Sequence, residues 1–174
     1  MSPRMAETVP DAAANPRFRI AFAGLDDLPD CALILDDMHR HYRGEGGVQA
    51  DLPAVETIEA EARRWLTETE GTRLLLAREA ETGVPAALAC LAVLRPGRAL
   101  RGLVFVKDLY VAASARRQGA GRATLAWILA WARRENLGRV DLTTDVDNAP
   151  ARALYASLGG VERPEAVFLR FDLA

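Results

Sequence analysis

Arg116-Arg117-Gln118-Gly119-Ala120-Gly121-Arg122 stands between the strand-like run Gly102 to Ala112 and a strongly apolar helical run. Two glycines one residue apart let the backbone approach a ligand closely, and the helix start that follows offers unpaired N–H groups with partial positive charge. Arg116, Arg117 and Arg122 add full charges, which favours a pyrophosphate over a single carboxylate. Taken alone, the same residues also suit a solvated basic turn whose glycines serve packing. Of two other nucleotide motifs, a Walker loop fails here and a dinucleotide fingerprint fits less well. No lysine follows either glycine, as a Walker loop requires, and Thr124 occupies the third glycine place of a dinucleotide fingerprint. Asp141, at the distance of a ribose-binding acid, lies between Val140 and Leu142 in a strand pattern.

Working outward, Gly102 to Ala112 is a strand, and the turn leads into a long helix from about Gly119 to Asn136 that Gly138 ends. Upstream, Thr72 to Arg78 and Val84 to Leu94 are joined by a short polar connection, the pattern of an antiparallel hairpin. Phe18, Ile20 and Phe22 alternate as in a half-buried strand closed by Gly24. Leu28, Cys31, Leu35, Met38 and Tyr42 recur at helical steps up to Gly44. After the glycine-rich loop Gly44 to Asp51, Pro53 opens a second helix carrying Val55, Ile58, Ala62, Trp65 and Leu66. Downstream, Val140 to Thr144 is a strand, Ala149 to Leu158 a helix stopped by Gly159 and Gly160, and Val167 to Leu173 a last strand. This order predicts one α/β domain, a mainly antiparallel mixed sheet flanked by helices.

Composition bounds the function. The chain has 174 residues, half of them apolar and 26% charged, the balance of a globular domain and not of a disordered one. A net charge of -2 gives no broad reason to expect a nucleic-acid or anionic-membrane partner. Cys31 and Cys90 are isolated in apolar stretches, which suits buried thiols in a reducing cytoplasm better than a disulfide framework. No window is long and apolar enough for a membrane span, and the start lacks the apolar run of a secretory signal. Residues 1–16 lack a period that could bury one face and are expected to form a flexible tail, with the folded domain at 17–174.

With these pieces in place the chain resembles a family. Arg116-x-x-Gly119-x-Gly121 matches the Gln/Arg-x-x-Gly-x-Gly/Ala signature of the GNAT superfamily of acetyl-CoA-dependent N-acetyltransferases. It is preceded by Asp108-Leu109-Tyr110-Val111 and followed by Asp147-Asn148-Ala149-Pro150-Ala151-Arg152-Ala153-Leu154-Tyr155, in the family's order. The resemblance covers about Arg17 to Leu173. It implies a GNAT-like fold and acetyl-CoA as cosubstrate, with the pyrophosphate wrapped by the turn Arg116, Arg117, Gln118, Gly119, Ala120, Gly121 and Arg122. It further implies that the strand end at Leu109 and Val111 pairs with pantetheine amides, that Asn148 contacts pantetheine, and that Tyr155 stands near the sulfur.

The chemistry needs a neutral amine, a stabilised oxyanion and a proton for the departing thiolate. A tyrosine, with a reference pKa of ~10, keeps its proton at neutral pH, so Tyr155 suits the general acid. A core aromatic is the other use of a tyrosine between Leu154 and Leu158. Asn148 suits a helix N-cap as well as a ligand contact, seven residues before Tyr155 and so two turns away. Asp108 is expected to share a strand face with Val106 and Tyr110, as a base acting through water or as a holder of a cationic substrate. Tyr110 and Glu45, the latter in the glycine-rich loop, are the substrate-binding candidates. The strand looks like that of small-amine acetyltransferases, where an acid often precedes the aspartate, but Lys107 stands there. Gly160 likewise replaces a common phenylalanine. His39 and His41 lack the spacing of two metal ligands on one helical face, and Trp127 and Trp131 are core candidates.

The expectation is a cytoplasmic enzyme that moves an acetyl group from acetyl-CoA to a primary amine of a small molecule. A protein lysine or N-terminal acetyltransferase and an inactive acyl-CoA-binding module are the alternatives. No metal, nucleic acid or membrane is expected. Open sheet edges offer a surface for a homodimer.

Overall fold

The unbroken apolar runs within Thr72 to Leu94 form the centre of the sheet in the computed structural model, which describes residues 15–46, 55–67, 71–94 and 101–166. Strands β1 (Phe18–Phe22), β2 (Thr72–Glu79), β3 (Pro85–Leu94), β4 (Leu103–Val111) and β5 (Arg139–Leu142) lie side by side in chain order. The first three pairings are antiparallel and β4–β5 is parallel, so the mixed, mainly antiparallel sheet is as expected. A parallel pair needs a crossover, and α3 (Ala120–Arg134) supplies it. The chain divides into a larger part, ending at Thr143, that holds the whole sheet, and a smaller part from Thr144 that holds α4 (Ala149–Ser157).

Helices α1 (Leu28–Gly46) and α2 (Val55–Thr67) cover one face of the sheet. Cys31, Ile34 and Leu35 of α1 and Ile58 and Ala62 of α2 are buried with Leu74, Leu76, Leu88, Cys90 and Tyr110. Full burial of each such leucine or isoleucine contributes about 1.5–3 kcal/mol. Arg78 fixes the start of α1 to this face, with Nη2 2.6 Å from both Asp27 Oδ1 and Asp30 Oδ2. On the opposite face Trp127 and Trp131 of α3 stack with centroids 6.3 Å apart, and Phe22 meets their rings edge-on at 5.1 and 5.0 Å. Both tryptophans are buried, as their spacing predicted. Small residues dominate where α3 begins: Ala120 and Ala123 pack on Ala77, Ala86 and Ala87, which brings the helix start close to the sheet.

Boundaries differ from the sequence pattern in instructive places. α1 continues through Gly44 to Gly46, so Glu45 belongs to its last turn and not to a loop; the Glu45 side chain lies outside the described residues. α3 is stopped by Asn136 and not by Gly138. Asn136 takes φ 55°, and the bonds Asn136 N to Arg133 O and Leu137 N to Ala132 O close the helix end in a Schellman arrangement. Gly138 N instead donates to Gly102 O at 2.7 Å. The expected strand Val167 to Leu173 lies outside the described residues, as do residues 1–14 of the expected tail. Among the described residues no helix is long and apolar enough to cross a membrane.

Candidate active site

The decisive local feature is a register shift in β4. Asp108 lies opposite Cys90, but Val106 lies opposite Leu91, so Lys107 is an extra residue, a β-bulge. Leu91 shares its face with Ala87, on the α3 side, whereas Cys90 and Tyr110 belong to the core under α1 and α2. Val106 therefore faces α3 while Asp108 and Tyr110 face α1 and α2. This corrects the expectation that Val106 and Asp108 share a face: strict alternation fails because one inserted residue flips everything beyond it.

An edge opens at the same place along β4. β5 pairs with β4 only from Leu103 to Val106. Beyond that point β4 has no strand on this side among the described residues. Ala112 N donates to Ala86 O, toward β3. Backbone groups alternate sides along a strand, so Leu109 and Val111 are turned to the open edge. The Val111 carbonyl accepts from Arg116 Nε at 3.3 Å.

After β4 a short 3-10 turn, Ala113–Ala115, leads into the glycine-containing turn. Arg117 takes φ 62° and Gly119 φ 90°, both left-handed. Gly119 caps α3 without any side-chain acceptor, and Ala120 and Gly121 are buried at the first turn. Two left-handed residues on either side of Gln118, beside a helix start without a side-chain cap, leave N–H groups that suit an anion. Arg117 and Arg122 are exposed there. Arg116 points elsewhere, with Nη2 3.0 Å from Tyr110 Oη. The Gln118 amide donates to Ser114 O at 2.7 Å, and its Oε1 accepts from Arg17.

Tyr110 is 5% exposed and its hydroxyl is engaged on both sides, accepting a hydrogen bond from Arg116 Nη2 and donating one to Asp37 Oδ2 at 3.0 Å. Asp37 Oδ2 also accepts from Ala113 N at 3.2 Å, which ties α1 to the turn after β4. Burial, then the Asp37 carboxylate, pushes the Tyr110 phenol up to about 12. Around it His41 and Tyr42 lie with ring centroids 5.9 and 6.4 Å from the Tyr110 ring. Asp108 is half-buried on this side. Burial first, and the Asp108 charge second, raise the Cys90 thiol to about 11. Lys107 Nζ stands 5.4 Å over the Trp65 ring. Sequence patterns had not singled out Asp37, although Ile34, Asp37 and His41 follow one helical stripe.

In the smaller part, Asn148 caps α4: its Oδ1 accepts from Ala151 N at 3.2 Å. Pro150 follows within the first turn, where its missing N–H costs nothing. The cap use of Asn148 is thus realised, and its amide NH₂ is not consumed by it. Tyr155 is half-buried on α4. Gly159 at φ 86° and Gly160 end the helix, with Gly160 N donating to Tyr155 O at 2.9 Å and Gly159 N to Ala156 O at 3.0 Å. A Cβ on Gly160 would stand 2.9 Å from Tyr155 O, so the backbone here is one that glycine fits.

The chain is similar to known proteins. The chain matches the Acetyltransferase (GNAT) family over residues 35–159. It is 32% identical over 71 residues to an aminoglycoside N(6')-acetyltransferase type 1 from Serratia marcescens, a match over 41% of this chain and 49% of that protein, so the chain spans about half the length of this relative. A solved structure of a probable acetyltransferase superimposes with a TM-score of 0.76 at 25% identity, covering 90% of this chain and 98% of the other. An aminoglycoside acetyltransferase from an uncultured soil metagenomic sample, in complex with sisomicin, has the same fold at a TM-score of 0.73 and 15% identity, covering 92% of this chain and 99% of the other.

Proposed function

The chain belongs to the GNAT family of acetyltransferases, and from that premise we propose that it transfers an acetyl group from acetyl-CoA to a primary amine of a small molecule. The observation that carries the proposal is the pairing of an uncapped, doubly left-handed helix start at Arg117 to Gly121 with an open β4 edge at Leu109 and Val111. The residues fit an acyl-coenzyme A: the turn suits its phosphates, and the strand edge suits a chain bearing amides. Bound acetyl-CoA supplies the acetyl group in activated thioester form. In this assignment the N–H groups of Gly119, Ala120 and Gly121 bind pyrophosphate, with Arg117 and Arg122 adding charge. Leu109 and Val111 hold pantetheine, and the family resemblance assigns a pantetheine contact to the Asn148 amide.

Tyr155 holds a proton at Oη for the sulfur that leaves, a role a phenol fills because it stays protonated at neutral pH. Asp108 accepts the amine proton through water or holds the amine as a cation. Tyr110, buried and with its hydroxyl already engaged, shapes an acceptor site from beneath, beside His41 and Tyr42. The likeness to a protein named as an aminoglycoside acetyltransferase supports a small amine over a protein side chain. A thiol-release screen with acetyl-CoA over simple amines, aminoglycosides, polyamines, amino acids and peptides tests the proposal. Release with small amines is expected, and release with peptides alone would redirect the assignment to protein acetylation.

A further inference from the structure

Arg17 and Asn15 precede β1, yet both reach the turn that starts α3. The Arg17 backbone is held on two sides: its carbonyl accepts from Ala80 N at 2.8 Å, and its N–H donates to Asn15 Oδ1 at 3.1 Å. Its guanidinium is thereby carried to Gln118, whose Oε1 accepts from Arg17 Nη2; the same Nη2 stands 3.3 Å from Glu79 Oε1. Thr82 Oγ1 occupies the other Glu79 oxygen at 2.8 Å. Both described polar contacts of the guanidinium use Nη2. A guanidinium carries five N–H donors in a planar fork, so Nε and Nη1 retain theirs, on a side chain 48% exposed.

Asn15 adds a second, separate donor. Because its Oδ1 accepts from the Arg17 N–H, its Nδ2 is directed the other way, 3.6 Å from the point where a Cβ on Gly119 would stand. Nδ2 has no acceptor among the described residues. The amide NH₂, the guanidinium edge and the N–H groups at the start of α3 are all donors, and Glu79 is the one carboxylate described on Arg17. Gln118 Oε1 and Glu79 engage Arg17 Nη2 alone, and the donors left over at Nε, Nη1 and Asn15 Nδ2 suit an anion.

We propose that Arg17 and Asn15 complete the phosphate site of the Gly119 to Gly121 turn, so that the segment before β1 grips a phosphoryl group of the coenzyme. The inference rests on the assignment of that turn to the coenzyme and adds to it two residues from the far end of the chain. Glu79 is the competitor: it and the phosphoryl group seek the same guanidinium.

Titration calorimetry on the full chain tests this with coenzyme A and 3′-dephospho-coenzyme A, each at low and moderate salt. Arg17→Ala should weaken coenzyme A binding about three- to tenfold and flatten its salt dependence, Arg17→Lys should keep most of the affinity, and Glu79→Gln should tighten binding. A loss seen with coenzyme A but not with the dephospho compound assigns Arg17 to the 3′-phosphate, and a loss with both assigns it to the pyrophosphate. If folded Arg17→Ala binds both compounds like the unaltered chain, or if Glu79→Gln weakens binding as much as Arg17→Ala does, the contact is a brace of the fold and the proposal is wrong. Failure of the unaltered chain to bind coenzyme A overturns the turn assignment and this inference together. Loss of binding in Gly121→Val with none in Arg17→Ala overturns this inference alone.

Discussion

Arg116 Nη2 donates to Tyr110 Oη across 3.0 Å, and this makes the first arginine of the glycine-containing turn a partner of the sheet. The hydroxyl in turn donates a hydrogen bond to Asp37, so three elements, β4, α1 and the turn, meet at one oxygen atom. Removing that oxygen in Tyr110→Phe deprives a guanidinium and a carboxylate of a partner in a mostly buried place. The expected loss of folding stability is about 1–3 kcal/mol. Urea unfolding at neutral pH measures it, and an unchanged midpoint would show that water replaces the phenol without cost.

Burial raises the Cys31 thiol to about 12 and the Cys90 thiol to about 11, from an ordinary value of 9.0. Both groups are neutral below these values, so their contribution to stability is complete below pH 9, where the unfolded thiols are still protonated, and is lost as pH rises toward 11 and 12. Stability should therefore decline on the alkaline side of pH 9. A thiolate-selective reagent at about pH 8 should leave both cysteines of the native protein unlabelled and modify both in denaturant.

Asn148 separates capping from ligand contact. Asn148→Ala should cost about 1 kcal/mol by stripping Ala151 N of its acceptor. Asn148→Asp keeps that acceptor and loses the amide NH₂. If the amide serves pantetheine, the aspartate variant should unfold like the unaltered protein but bind coenzyme A several-fold more weakly; equal affinity would leave Asn148 with the cap alone.

Tyr155→Phe removes only a hydroxyl. Turnover should fall by about 10²- to 10⁴-fold, as expected for loss of a general acid, with coenzyme affinity little altered. Wild-type turnover between pH 6 and 9, with chemistry rate-limiting, would mean that another group delivers the proton. Parallel losses of affinity and stability would instead mark Tyr155 as a packing residue.

Much of the fold was legible because apolar pattern reports burial: Leu74 to Ala77 and Ala86 to Leu91 are unbroken apolar runs buried on both faces of the sheet, and Cys31, Ile34 and Leu35 follow a helical stripe into the core on one of them. The turn at Gly119 was legible because its glycines meet a conformational need, realised as φ 90°. The bulge at Lys107 was not, since register is set by pairing across strands and nothing in Val106-Lys107-Asp108 itself announces an inserted residue. Arg116 looked like one more charge for a phosphate because its partner, a phenol six residues earlier, becomes a neighbour only once β4 folds back through the turn. Arg17 was invisible for the same reason at greater range. Its contact with Gln118 exists only after β1 and β2 pair and α3 crosses the sheet.

Coenzyme A binding to the unaltered chain and to Gly121→Val, compared by calorimetry, tests the central claim most directly, because Gly121 is buried in the first turn of α3 at the start of the assigned phosphate site. Saturable binding by the unaltered chain and its sharp loss in a variant that retains its fold by circular dichroism is the predicted result. Equal affinity in the folded Gly121→Val protein would contradict the assignment of this turn to the coenzyme.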